Sequence, residues 1–163
     1  MNKIGFYRDN SKNLLVQNLK VSDLAKKYGT PLFVYDANLI ENIFIKIKNA
    51  IKNINGQIFY AIKANDTLGL IKLISNLGAG ADVVSIGELK KCLKVGINPQ
   101  KIIFSGVGKD KKEIEYAIKK KIKQLNIESE EELNNKIEIA KKLKINIKIA
   151  LRVNLDIDAK THV

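Results

Sequence analysis

The sequence predicts an α/β protein built on a parallel β-sheet, and three observations carry the prediction. Apolar runs begin near Ile58, Ala81, Ile102, Ile122 and Ile145, at roughly 20- to 25-residue steps, the length of a strand, a helix and two short turns. Each gap between runs repeats apolar residues at three- and four-residue steps, the period of one helical face. Glycines and N-cap residues punctuate the boundaries. Such alternation requires parallel strands joined by right-handed crossovers. A doubly wound sheet and a (β/α)8 barrel both satisfy it, and the regular spacing favours the barrel. Gly78-Ala79-Gly80 precedes a strand instead of following one, so a dinucleotide-binding glycine loop is absent.

In chain order, Leu14-Leu15-Val16 predicts a short strand, and Ser22 an N-cap for a helix through Tyr28, ended by Gly29 and Pro31. Leu32-Phe33-Val34-Tyr35 reads as a strand. Asp36 then caps a helix whose Ile40, Ile43, Phe44, Ile47 and Ile51 share one face. Gly56 closes that unit. The run Ile58 to Ile62 is unbroken, as expected for a strand covered on both faces. It ends in Lys63, at the end of a parallel strand where enzymes of this architecture keep their chemistry. Leu68, Ile71, Ile74 and Leu77 mark the next helix; Leu89, Leu93 and Val95 the second; Ile114, Ala117 and Ile118 the third; Leu133, Ile137, Ala140 and Leu143 the fourth. Ser85 with Glu88, and Ser129 with Glu132, have capping-box spacing. Five core strands are visible after Ile58, whereas a closed barrel takes eight.

The 163 residues are 45% hydrophobic, enough for a core of one domain. The net charge of +12 raises the question of nucleic acid. However, the lysines are scattered, and the only arginines are Arg8 and Arg152, so a phosphate-tracking or base-reading stripe is not expected. No apolar run approaches the roughly twenty residues that span a bilayer, and Met1-Asn2-Lys3 opens no signal peptide, so no membrane partner and a cytoplasmic location are expected. Cys92 is the single cysteine and has no internal partner.

Among polar residues, Lys63 is the candidate reactive amine. Asp82 begins the strand Val83-Val84, Glu88 is explained by its cap, and Arg152 interrupts an apolar run where a guanidinium needs an anion. Ser105-Gly106-Val107-Gly108 reads as a tight exit from a strand that shapes a pocket.

Phe59-Tyr60-Ala61-Ile62-Lys63-Ala64-Asn65 resembles the signature of fold-type III pyridoxal-phosphate enzymes. Gly78 to Leu89, Phe104 to Lys109 and Asn126 to Glu130 resemble the diaminopimelate decarboxylase family, and the likeness runs from about Gly29 to the last residue. It decides for a TIM-type barrel, of which residues 36–163 would be an incomplete pyridoxal-phosphate-binding part. Residues 1–35 would lead into it and pack with a C-terminal β domain outside this chain. The resemblance implies pyridoxal 5'-phosphate held by Lys63 in an apolar slot, with Asp82 and Arg152 beside the cofactor. The activity it implies is decarboxylation of meso-2,6-diaminopimelate to L-lysine in a homodimer. It further implies that the chain is an N-terminal fragment inactive alone, with the ring-stacking histidine, phosphate loop and partner-subunit cysteine lying beyond Val163. His162, in a loop motif from Asp156, is not given the stacking role. The alternatives are a single-domain pyridoxal-phosphate homeostasis protein and a sister amino-acid decarboxylase or racemase.

Overall fold

The computed structural model describes residues 4–153, so the Asp156–His162 motif lies outside the described residues. The described backbone divides into two compact units, residues 4–58 with 76–78, and residues 59–75 with 79–153. The division groups the helix capped by Asp36 with the N-terminal unit, where the sequence reading groups it with the barrel.

In the first unit, strands β1 (Phe6–Arg8), β2 (Leu14–Val16) and β3 (Leu19–Lys20) form an antiparallel meander. Helix α1 (Val21–Tyr28) follows at once and ends at Gly29, whose φ of 83° is the left-handed stop the sequence predicted. Its N-cap is Lys20, with no side-chain bond, so Ser22 lies inside the helix and does not cap it. The expected strand at Leu32–Tyr35 does not form, and Phe33 is 84% exposed. No strand among the described residues pairs with this segment, and an isolated apolar run has no ladder to complete. Helix α2 (Ala37–Ala50) is capped as predicted, with Asp36 accepting from the amides of Asn38 and Leu39 at 2.9 and 3.3 Å. The same carboxylate accepts from the Gly5 amide at 2.6 Å and from the Gln17 side chain. One buried acid thereby gathers three segments of the unit. Of the helix face predicted to be core, only Phe44 is buried, while Ile43 and Ile47 stay exposed.

The second unit is a parallel sheet of β4 (Phe59–Ala61), β5 (Gly80–Val83), β6 (Ile102–Phe104), β7 (Gln124–Ile127) and β8 (Ile149–Leu151), ordered in sequence. Helices α3 (Leu68–Asn76), α4 (Ile86–Lys94), α5 (Lys111–Lys119) and α6 (Glu130–Leu143) connect the strands. Pairing aligns Ala61, Asp82, Ile103 and Gln124 in one row, and paired residues of parallel strands share a face. The other face carries Ala81, Val83, Ile102, Phe104 and Leu125, all fully buried with Leu89, Cys92, Ile114, Ala117 and Ile118 of the helices.

A doubly wound sheet reverses its strand order and takes helices on both faces. Here the order never reverses and one face is helix-packed, which is the winding of a TIM-type barrel, with five of its eight strands among the described residues. Among the described residues β4 lies at the edge of the sheet, and Phe59, Tyr60 and Ala61 are all half-buried, short of the coverage on both faces that the apolar run predicts. Strands β7 and β8 begin later than the apolar runs do; Ile122, Ile145 and Ile147 instead pack against the core ahead of them. Gly80 has a steric reason, since a Cβ there would come within 2.5 Å of the Lys101 carbonyl oxygen and of the Phe59 ring.

Candidate active site

The carboxyl ends of the parallel strands supply the site. After Ala61 the chain tightens into a 3-10 turn, Ile62–Ala64, in which Ile62 is buried and Lys63 exposed. The Asn65 amide closes the turn on the Ile62 carbonyl at 3.1 Å, and the Tyr60 hydroxyl reaches the Asn65 carbonyl at 3.2 Å. Lys63 is thus presented by a buried isoleucine and a hydrogen-bonded turn.

A cleft of about 390 Å³ joins Lys63 to Asp82 of β5, Ser105 and Gly106 after β6, Asn126 of β7, and Ala150, Leu151 and Arg152 at the end of β8. That volume falls within the range of small-molecule sites. All three residues singled out in the sequence, Lys63, Asp82 and Arg152, therefore line one cleft. Its character differs from the expectation. The predicted apolar slot around the lysine is not formed by the described residues: the walls are carboxylate, hydroxyl, amide and guanidinium, with only short aliphatic stretches. The cause is the pleat, because the strand faces that look away from the helices carry the polar residues of β5 and β7.

Hydrogen bonds tie the walls together. The Gln124 amide donates to Asn126 Oδ1 at 2.8 Å, Asn126 Nδ2 donates to Ser105 Oγ at 2.8 Å, and Ser105 Oγ donates to Asp82 Oδ1 at 2.5 Å. Arg152 follows β8 and lies outside it, and its side chain is 59% exposed. It does find an anion, since Nη1 lies 3.2 Å from Glu128 Oε2. Glu88 keeps its structural reading, with a shifted target: Ser85 Oγ accepts from the Glu88 amide at 3.2 Å, but the Glu88 carboxylate accepts from the amide of Val84, not of Ser85, at 2.8 Å. Glu132 does the same with Ser129 and Glu128.

Behind the cleft lies a cluster that sequence reading missed. Glu132 Oε1 is 2.8 Å from Lys109 Nζ and 2.6 Å from Lys136 Nζ, with the three side chains 8%, 1% and 2% exposed. Lys136 also donates to the Asn126 carbonyl at 2.6 Å, and Lys109 to the Gly106 carbonyl. Burial by itself would raise the Glu132 carboxyl, but hydrogen bonds from both lysines and from the Glu128 amide outweigh it and hold the group below its ordinary range. Burial pulls Lys136 down, only partly offset by Glu132. No group of three or more metal-ligating side chains exists among the described residues, and no described helix is long and apolar enough to cross a membrane.

Comparison with known proteins adds relatives to this geometry. Residues 37–163 match the family model described as pyridoxal-dependent decarboxylase, pyridoxal binding domain. The chain is 49% identical over 140 residues to a diaminopimelate decarboxylase of Helicobacter pylori strain J99, covering 86% of this chain and 35% of that protein. It is 44% identical over 156 residues to the diaminopimelate decarboxylase of Aquifex aeolicus, covering 96% and 36%. The crystal structure of diaminopimelate decarboxylase from Helicobacter pylori complexed with L-lysine superposes with a TM-score of 0.83 at 45% identity, covering 86% of this chain and 36% of that one. The chain thus spans about a third of the length of the relatives it matches.

Proposed function

The chain belongs to the pyridoxal-dependent decarboxylases, whose pyridoxal-binding domain accounts for residues 37–163, and from that premise we propose that it carries the lysine-bearing part of a diaminopimelate decarboxylase. The proposed reaction breaks the bond between the D-configured centre of meso-2,6-diaminopimelate and its carboxylate. Carbon dioxide leaves, a proton takes its place, and L-lysine results. One observation carries the reading: Lys63, Asp82 and Arg152, far apart in sequence, line a single cleft at the carboxyl ends of sequentially ordered parallel strands.

The donor set fits pyridoxal phosphate, with a primary amine for its aldehyde, a carboxylate, and a guanidinium for anionic groups, in a cleft of adequate volume. When bound, the cofactor supplies an electron sink for the pair left by a departing carboxylate. Lys63 Nζ would hold its aldehyde, and the same amine is placed in the cleft to carry a proton. Asp82 presents a fixed negative charge in the same cleft. Arg152, tethered by Glu128, offers a planar donor to a carboxylate or phosphate. The homodimer implied by the family resemblance, and the cytoplasmic setting expected from the sequence, belong to the same proposal.

The test is a spectroscopic titration. Stoichiometric pyridoxal phosphate added to the chain is expected to shift its visible absorbance, and Lys63→Ala to remove most of the shift. An equal shift in Lys63→Ala overturns the reading.

A further inference from the structure

The polar face of the sheet carries a feature that the proposed function does not use. Four side chains, from β5, β7 and the residue that follows β6, are linked in one direction: Gln124 to Asn126, Asn126 to Ser105, Ser105 to Asp82. Direction matters because a serine hydroxyl has one hydrogen. Ser105 Oγ already accepts from Asn126 Nδ2 at 2.8 Å, so its hydrogen is committed to Asp82 Oδ1 at 2.5 Å. Asn126 is itself locked, with Oδ1 occupied by Gln124 and its carbonyl held at 2.6 Å by the buried Lys136 ammonium. Ser105 is fixed by its backbone, since its amide donates to the Val83 carbonyl at 2.8 Å, one residue beyond Asp82 on β5. Aligned donors polarise one another, and a chain ending on a carboxylate places the strongest bond there.

We propose that Ser105 and Asn126 are positioning residues for the Asp82 carboxylate, fixing its rotamer and leaving Oδ2 as the oxygen presented to the Lys63 cleft. The side chains pay no rearrangement when a ligand enters, because a strand, a tight turn and a buried ammonium hold them already. The idea rests on the reading of this cleft as a cofactor site, and it assigns Ser105, taken from sequence as pocket shape only, a directed role.

The test is a double-mutant cycle read on the rate at which pyridoxal phosphate, trapped by borohydride, adds its mass to Lys63. Ser105→Ala is expected to slow that rate by about tenfold, the loss of one hydrogen bond to a charged group, and Asn126→Ala to slow it less, because its bond is to the neutral serine hydroxyl. Ser105→Thr, which keeps the hydroxyl, restores it. In an Asp82→Ala background, Ser105→Ala has no further effect, since the serine acts only through the carboxylate. Equal slowing by Ser105→Ala with and without Asp82 overturns the proposal, as does a Ser105→Thr rate no better than that of Ser105→Ala. Failure of the unmodified chain to label at Lys63 overturns the proposed function as well, and is seen before any variant is compared.

Discussion

Lys136 Nζ lies 2.6 Å from Glu132 Oε1, one helical turn earlier on α6, with both side chains almost wholly removed from water. Lys109 reaches the same oxygen from the loop after β6. Two cations share one carboxylate, and between them the three side chains hold the backbone of Gly106, Asn126 and Glu128, all of which line the cleft. Removing the shared anion strands two buried charges. Glu132→Gln should cost about 3–5 kcal/mol, whereas replacing all three side chains by leucine or methionine should recover most of that. Urea unfolding of both variants checks this; a Glu132→Gln cost under about 1 kcal/mol would count against a charge cluster of this kind.

The pH dependence of that cluster runs opposite to that of an ordinary paired lysine. Burial holds folded Lys136 below its usual value of 10.5, so in the window beneath 10.5 the unfolded chain binds more protons and this residue's contribution to stability rises with pH. Glu132 acts at the acid end. Its folded value lies below 4.5, and its contribution is present above 4.5 and lost as pH falls through the folded value. Unfolding free energies of the chain and of Lys136→Met, compared between pH 7 and 10, should show the chain gaining relative to the variant. A difference that is flat or shrinks would contradict the burial of the ammonium.

Cys92 is fully buried on α4, and burial, assisted by the charge of Glu88, pushes its thiol up to about 12. The thiolate is the reactive form. Labelling by an aromatic disulfide reagent at neutral pH should therefore proceed only as fast as the fold opens, and should accelerate with denaturant in step with unfolding. Immediate labelling of the native chain would mean that α4 does not pack as described.

Glu128→Gln separates tethering from stability. The Arg152 pair is more than half exposed on the arginine side, so its loss should change unfolding free energy by less than about 1 kcal/mol. Retention of pyridoxal phosphate should nevertheless weaken, because Arg152 is no longer aimed. Unfolding and dialysis retention, measured on the same preparation, give the two readouts.

The alternation of strands and helices was legible because each apolar run and each helical face is local, and Lys63 stood out as a cation closing the longest run. The grouping of Asp82 and Arg152 with Lys63 came through family resemblance, not periodicity. What sequence reading missed is long-range. Ser105 and Asn126 meet only because β6 and β7 pair in one register, although the alternation Gln124-Leu125-Asn126-Ile127 marks a strand with one polar face. Lys109 and Lys136 were hidden among the many lysines of the chain; only the four-residue step from Glu132 to Lys136 hinted at a pair. The capping glutamates reached one residue further back than the box predicts, a detail of side-chain length that spacing does not encode. Leu32–Tyr35 has strand composition, but composition does not supply a neighbouring strand.

In the proposed function, one amine among many is singled out by the ends of the parallel strands. Borohydride reduction of the chain with stoichiometric pyridoxal phosphate, followed by peptide mass mapping, tests it directly. The pyridoxyl mass is expected on Lys63 above all other lysines. Label spread evenly over the exposed lysines, or concentrated on any residue outside the cleft of Asp82, Ser105 and Arg152, would contradict it.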